Sequence, residues 1–284
     1  MYLPNLVTIG AMKAGTTSLH EYLSLHPDIY MSEKKEINFF SHNEKYENGV
    51  EWYKKFFPLN VKIRGESSQS YSKYHLWENV PKRIYKDLGK NVKFIYILRD
   101  PLKRVYSHYN EMQAQNVAPK SLEEYVLKDL PKSEIVLTSC YKKQLDHFLA
   151  YFPLENFKII TLEDLKEDKM KVLNEIFSFL EVENISNEEL FSFTRNTSQE
   201  KTKQSKISLF LSHNSVGKKI NRIIPNELKN KLKSRTVSKK ILNQKINHNI
   251  QMPQETEEKL KELFKKDVNE LRSLTGLKFP NWWV

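Results

Sequence analysis

A lysine, two glycines and three hydroxyl residues are spaced for phosphate binding in GAMKAGTTSL, residues 10–19. The segment follows a short apolar run of β type and precedes a helical pattern, so it reads as a strand-to-helix turn. Backbone N–H groups at a helix start point into such a turn, and the helix dipole favours negative charge there. Gly15 lets the chain close around anionic oxygens, Lys13 adds a charge, and Thr16, Thr17 and Ser18 add hydroxyl donors. The amides of Lys13, Ala14 and the residues after them complete the cradle. The nearest generic pattern is the G-x-x-x-x-G-K-[ST] phosphate loop. Gly10 and Gly15 keep its spacing, but Thr16 fills the lysine slot and Lys13 precedes the second glycine by two residues.

A second candidate is YILRDPLKRVYSHYNE, residues 96–111. Arg99 emerges at the tip of an apolar strand, Pro101 suits a first helical turn, and Ser107 follows on that helix. An arginine at a strand tip and a serine two turns into the next helix can converge on one phosphate, for which the planar guanidinium is suited. Taken alone, the string reads equally as a capped helix with Arg99 in a surface ion pair.

The two strings together resemble the donor motifs of the sulfotransferase family. KAGTTSLHEYLSLHPDI is similar to the branch containing the heparan sulfate sulfotransferases and their bacterial relatives, and RDPLKRVYS matches the family's R-D-P-x-x-R-x-x-S. The resemblance covers roughly residues 4–180. It implies a P-loop-like three-layer α/β fold and the donor 3′-phosphoadenosine 5′-phosphosulfate, with 3′,5′-adenosine bisphosphate as product and no metal. It further implies that the Lys13 loop holds the 5′-phosphosulfate end, with Lys13 assisting departure of the bridging oxygen. Arg99 and Ser107 fall on the 3′-phosphate positions, Tyr141 near the adenosine, and Arg195, Lys201 and Lys203 on late basic donor contacts.

Sulfonate transfer to a hydroxyl needs a group that accepts its proton. Glu36, in SEKKEINFFS (residues 32–41), resembles the glutamate of the family's E-[IV]-x-F-F segment, where it is the proposed base. Without that likeness, Glu36 is an exposed loop acid neutralised by Lys34 or Lys35. His108 is a rival, although a helix residue next to Ser107 points elsewhere. In the glycosaminoglycan enzymes a lysine follows the glutamate of the segment matching GESSQSY (residues 65–71); here that place is Ser67. Asn38 stands where some relatives carry histidine. Both positions are expected to face the acceptor, and both leave its identity open. An anionic glycan or glycolipid is the first expectation, and a hydroxylated acyl, lipid or small molecule the next.

Four strands are predicted to carry these loops, at residues 5–11, 61–66, 92–98 and 157–162, with helices at 17–26, 78–88, 102–115, 122–130, 134–151 and 167–180. Alternating strands and helices imply a parallel sheet covered on both faces, with ligands beyond the carboxyl ends of the strands. After residue 181 the pattern is helical only, ending in a helix over 255–276. A single domain over 1–284 is expected.

Composition bounds the remainder. The net charge is +11, and residues 201–245 hold thirteen Lys or Arg against one acidic residue, a net +12 that leaves the other 239 residues at −1. That local excess suits a lid over an anionic donor, or a track for an anionic or membrane-linked acceptor with peripheral contact to a membrane surface. A nucleic-acid binder built on this segment would leave both phosphate motifs unexplained, so no nucleic-acid partner is expected. A nucleotide kinase would need a magnesium site, and Asp100 could serve only outside the R-D-P pattern. The lone Cys140 excludes an internal disulfide and reads as a small buried hydrophobe. With no signal-peptide pattern and no run near the roughly 20 apolar residues of a membrane span, a cytoplasmic relative is expected.

Overall fold

A computed structural model describes residues 1–191, apart from 116, 119–120, 128–129 and 131, and residues 252–283. Arg195, Lys201, Lys203 and the basic stretch 201–245 lie outside the described residues. Five strands build one sheet: β1 (Leu6–Gly10), β2 (Ile29–Met31), β3 (Ile63–Ser67), β4 (Lys93–Leu98) and β5 (Phe157–Thr161). Their order is β2-β3-β1-β4-β5, and every pairing is parallel. β1 is buried along its whole length and β4 nearly so, the pattern of central strands covered on both faces.

The described helices are α1 (Thr16–Ser24), α2 (Asn43–Tyr46), α3 (Gly49–Lys54), α4 (Val80–Leu88), α5 (Pro101–Ala114), α6 (Leu122–Leu127), α7 (Glu134–Leu137), α8 (Tyr141–Leu149), α9 (Leu162–Glu167), α10 (Lys169–Phe179) and α11 (Gln254–Thr275). The predicted parallel α/β sheet is present, as is the long C-terminal helix, which stops at Gly276 in the left-handed conformation that glycine adopts freely. One predicted helix is broken, and another is preceded by a helix that was not predicted. Residues 134–151 form α7 and α8, because Cys140 leaves the helical region at ψ 79°. Residues 167–180 give α10, preceded by α9, because Asp168 at φ −138° accepts from the Lys171 amide and restarts the chain. Strand β2 and helices α2, α3 and α9 were outside the predicted set. The three residues of β2 are too short to show alternation.

Sheet order explains the site. The chain runs from β1 outward to β2 and back through β3, then crosses to β4 on the other side of β1. The loops after β1 and β4 therefore leave neighbouring strands in opposite directions, at the crevice where α/β sheets bind ligands. Ala11 N–H donates to Ile97 O at 2.6 Å, which ties the start of one loop to the strand carrying the other. A second apolar cluster joins α5, α6, α7 and α11 through Val105, Val126, Ile135, Leu260 and Phe264. Cys140 lies in it, and burial pushes its thiol up to about 12, far from a thiolate nucleophile.

Candidate active site

The helix α1 starts at Gly15, which holds φ 92° and supplies no side-chain cap. A side chain at Gly15 would put its Cβ 2.7 Å from Leu162 Cδ1, so glycine is required by both conformation and contact. No acidic residue lies in the first turn, so nothing there offsets the positive helix end. Lys13 also takes a positive φ of 71°. Its ammonium pairs with Glu111 of α5 at 2.9 Å, both side chains being largely buried.

Arg99 leaves the end of β4 and donates from Nη1 to Lys13 O at 3.2 Å. Among the described residues the rest of its fork has no hydrogen-bond partner, and the Ser107 hydroxyl, one helix turn and a half further on, has none either. Burial lowers the Arg99 pKa, opposed by the nearby Glu163 carboxylate. The two cationic motifs of the sequence thus meet in space. The donors of Arg99 and Ser107, with the positive end of α1, fit a ligand carrying phosphate-type anions at two points.

Tyr141 is fully buried and donates its hydroxyl to Arg99 O at 2.7 Å. It stacks edge-on to Tyr96 and tilts against Trp282. It therefore sits behind Arg99 and presents no exposed surface to a nucleoside. Asp267 of α11 accepts from the Lys142 and Lys143 amides, both at 3.0 Å, capping the helix that Tyr141 begins.

A residue not singled out from the sequence is Arg104, the second arginine of R-D-P-x-x-R-x-x-S. It is wholly buried, donates to Ser139 Oγ at 2.5 Å and to Ile135 O, and reaches Met12 O at 3.4 Å. It fastens the phosphate loop from beneath to the α7 region. Its spacing in the motif was the available signal.

Glu36 lies on the loop after β2, across β3 from the phosphate loop. Its N–H donates to Ser67 O at 3.0 Å, and Gln69 N–H donates to its Oε2 at 3.0 Å. Its Oε1 takes a 2.7 Å bond from Lys35, whose Nζ also donates to Thr16 Oγ1 at 3.3 Å. Glu36 is held at φ 58°, a conformation costing on the order of 1–3 kcal/mol for such a residue and typical of functional positions. The next carboxylate, Glu66, is a contrast. It is 0% exposed and accepts from Tyr53, Ser68 and Tyr71 hydroxyls, whereas the Glu36 side chain is 27% exposed. Of these two carboxylates, Glu36 is the one that reaches solvent.

The rival His108 is buried against Arg104, and desolvation with the Arg104 charge pushes its pKa down to about 2. A group so weakly basic is a poor proton acceptor. The expectation for Ser67 needs correction. Its hydroxyl bonds His20 Nδ1 at 2.9 Å and is sealed from solvent, because odd positions of β3 turn toward α1. Asn38 is half-buried, tied to Ser68 Oγ and Ser70 Oγ.

An all-parallel sheet with a strand-to-helix phosphate loop beside a strand-tip arginine defines a P-loop-like nucleotide-binding fold. Within that class the chain belongs to the sulfotransferase family, matching the Sulfotransferase domain over residues 3–272. It is 34% identical over 190 residues to the mouse heparan sulfate glucosamine 3-O-sulfotransferase 5, covering 63% of this chain and 53% of that protein. To the Drosophila melanogaster bifunctional heparan sulfate N-deacetylase/N-sulfotransferase it is 30% identical over 210 residues, 64% of this chain and 20% of that one. The chain thus spans about half the length of the first of these relatives, and less of the second. Among solved structures, the sulfotransferase from Alicyclobacillus acidocaldarius matches with a TM-score of 0.66 and 22% identity over 99% of both chains. Mouse sulfotransferase SULT7A1 complexed with PAP gives 0.51 and 16%, over 93% of this chain and 82% of that one. These likenesses show the fold.

Proposed function

We propose that the chain transfers a sulfonate group from 3′-phosphoadenosine 5′-phosphosulfate to a hydroxyl or amine of a carbohydrate acceptor. The observation that carries this reading is the contact between Arg99 and the Lys13 carbonyl, which joins two anion-binding motifs into one site. A donor with phosphate groups at both ends uses both motifs, whereas a nucleoside triphosphate would leave Arg99 and Ser107 idle. The carbohydrate class rests on the heparan sulfate relatives.

The donor supplies an activated sulfur: the acceptor oxygen bonds to it, the sulfur–oxygen bond to phosphate breaks, and that electron pair leaves on the phosphate. Lys13 and the free amides at the start of α1 stabilise that charge, the largest contribution expected in such a site. Lys13 must exchange Glu111 for the phosphate to do so. Arg99 and Ser107 hold the 3′-phosphate and fix the axis of the reaction. Glu36 takes the proton from the acceptor, with Gln69 N–H steadying the oxygen that is not in use.

Calorimetry with 3′,5′-adenosine bisphosphate, against ATP with magnesium, tests the assignment. The bisphosphate should bind and ATP should not compete, and Lys13→Ala and Arg99→Ala should each weaken binding by about 10–100-fold, the loss of one charge-assisted contact. Absence of bisphosphate binding, or its survival in both variants, would overturn it.

A further inference from the structure

We infer that Lys35 is a positioning residue that keeps the base in register with the donor loop, an inference resting on Glu36 as the base. One ammonium touches both halves of the site: Glu36 Oε1 at 2.7 Å and Thr16 Oγ1, the first residue of α1, at 3.3 Å. The contact joins positions that the sheet keeps apart, since the loop after β2 reaches β1 only across β3.

Adjacent residues rarely need each other as ion-pair partners, and exposed pairs of this kind contribute little to stability. This pair differs in two ways. It is largely covered, with the Lys35 side chain 21% exposed. It also completes a set of three contacts holding Glu36 in its left-handed conformation, the others being Ser67 O and Gln69 N–H. The neighbouring Lys34 takes no part, because its ammonium lies over the Phe56 ring. The Lys35 charge is also felt on the inner face of α1, where after burial it is the next cause that lowers His20 to about 4.

Lysine suits this task because a compact ammonium carries three donors and can serve two acceptors at once. Ser67, which follows the β3 glutamate, is turned inward to His20 and offers no charge there. Lys35 brings a cation to this region from the loop after β2. Without it, Glu36 keeps its backbone anchors but is free to swing away from the α1 start, and a displacement of about 1 Å can cost on the order of 100-fold in rate.

The experiment measures bisphosphate release from the donor with heparan sulfate as acceptor, or with water as acceptor where that glycan is not sulfonated. Lys35→Met should lower kcat by about 100-fold while leaving KM for the donor and calorimetric affinity for 3′,5′-adenosine bisphosphate unchanged. Intact bisphosphate binding also reports a folded site. Lys35→Arg should recover most of the rate, and Lys35→Met should add no further loss in a Glu36→Gln background, because both act through one carboxylate. Full turnover in Lys35→Met, an additive loss in the double variant, or loss of bisphosphate binding would each overturn the inference. Full turnover in Glu36→Gln would instead remove the base assignment beneath it.

Discussion

The two sides of the site are built differently. On the donor side, the loops after β1 and β4 leave adjacent buried strands, tied by Ala11 N–H to Ile97 O and braced below by Arg104. The Arg99 guanidinium then reaches the Lys13 carbonyl directly. On the base side, Glu36 follows a three-residue edge strand and depends on contacts between loops far apart in sequence. Gln69, Ser68 and Ser70 reach back to Glu36 and Asn38, both of which take positive φ. In the proposed reaction a frame of central strands holds what every turnover shares, the donor. Side-chain ties hold what must adapt, the groups that meet the acceptor.

If that division is correct, variants on one side should leave the other side's readout untouched. The largest effect is expected from Glu36→Gln, with turnover reduced about 10²–10⁴-fold and bisphosphate affinity by calorimetry at the parent value. A fall in affinity of the same size would erase the distinction between the sides. Next comes Arg104→Lys, which keeps a charge but loses the fork that serves Ser139, Ile135 and Met12. Denaturant unfolding should show a loss of about 1–3 kcal/mol, accompanied by weaker bisphosphate binding, whereas a variant with parent stability and affinity would show that the loop needs no brace.

The smallest effect falls on both sides. His20 under the base loop and His75 stay near 4, and His108 under the donor loop near 2, each lowered chiefly by burial. Unfolding restores their ordinary value of 6.5, so the unfolded chain binds more protons once pH drops below it. Their contribution is complete above pH 6.5 and is lost as pH falls toward the folded values. Asp267, raised by burial to about 6, acts in the opposite sense, its contribution being lost as pH rises from 3.8 through 6. Comparing His108→Gln with the parent isolates one histidine. Stability measured from pH 7.5 to 5 should fall less steeply in the variant, by at most about 1.4 kcal/mol per pH unit. Parallel curves would mean that His108 takes up protons equally in the folded and unfolded chains, with no depression by burial.

The same division decides what could be read in the sequence. The placement of Lys13, Gly15, Arg99 and Ser107 was legible because a short strand-to-helix spacing carries their geometry, and the strands before them are continuous apolar runs. Glu36 was identifiable only through its family likeness. Its partner Gln69 N–H lies 33 residues away, and Thr16, which shares the Lys35 ammonium with it, lies 19 residues from that lysine, and nothing local encodes those pairings. Ser67 was assigned to the wrong side because a strand position reveals alternation, while the face turned to α1 emerges only from packing. The break at Cys140 was hidden as well, since Arg104 draws Ser139 and Ile135 into its own bonds from 35 and 31 residues away.

The cap that Asp267 places on α8 bears on how the chain is made. Tyr141 opens that helix, supports the Arg99 carbonyl and packs on Trp282, which itself bonds Glu163 at 3.2 Å. During synthesis the sheet and phosphate loop can assemble once β5 has emerged. The support for Arg99 waits for residues 267 and 282, so a ribosome-bound chain would carry the donor loop long before it could grip the far phosphate.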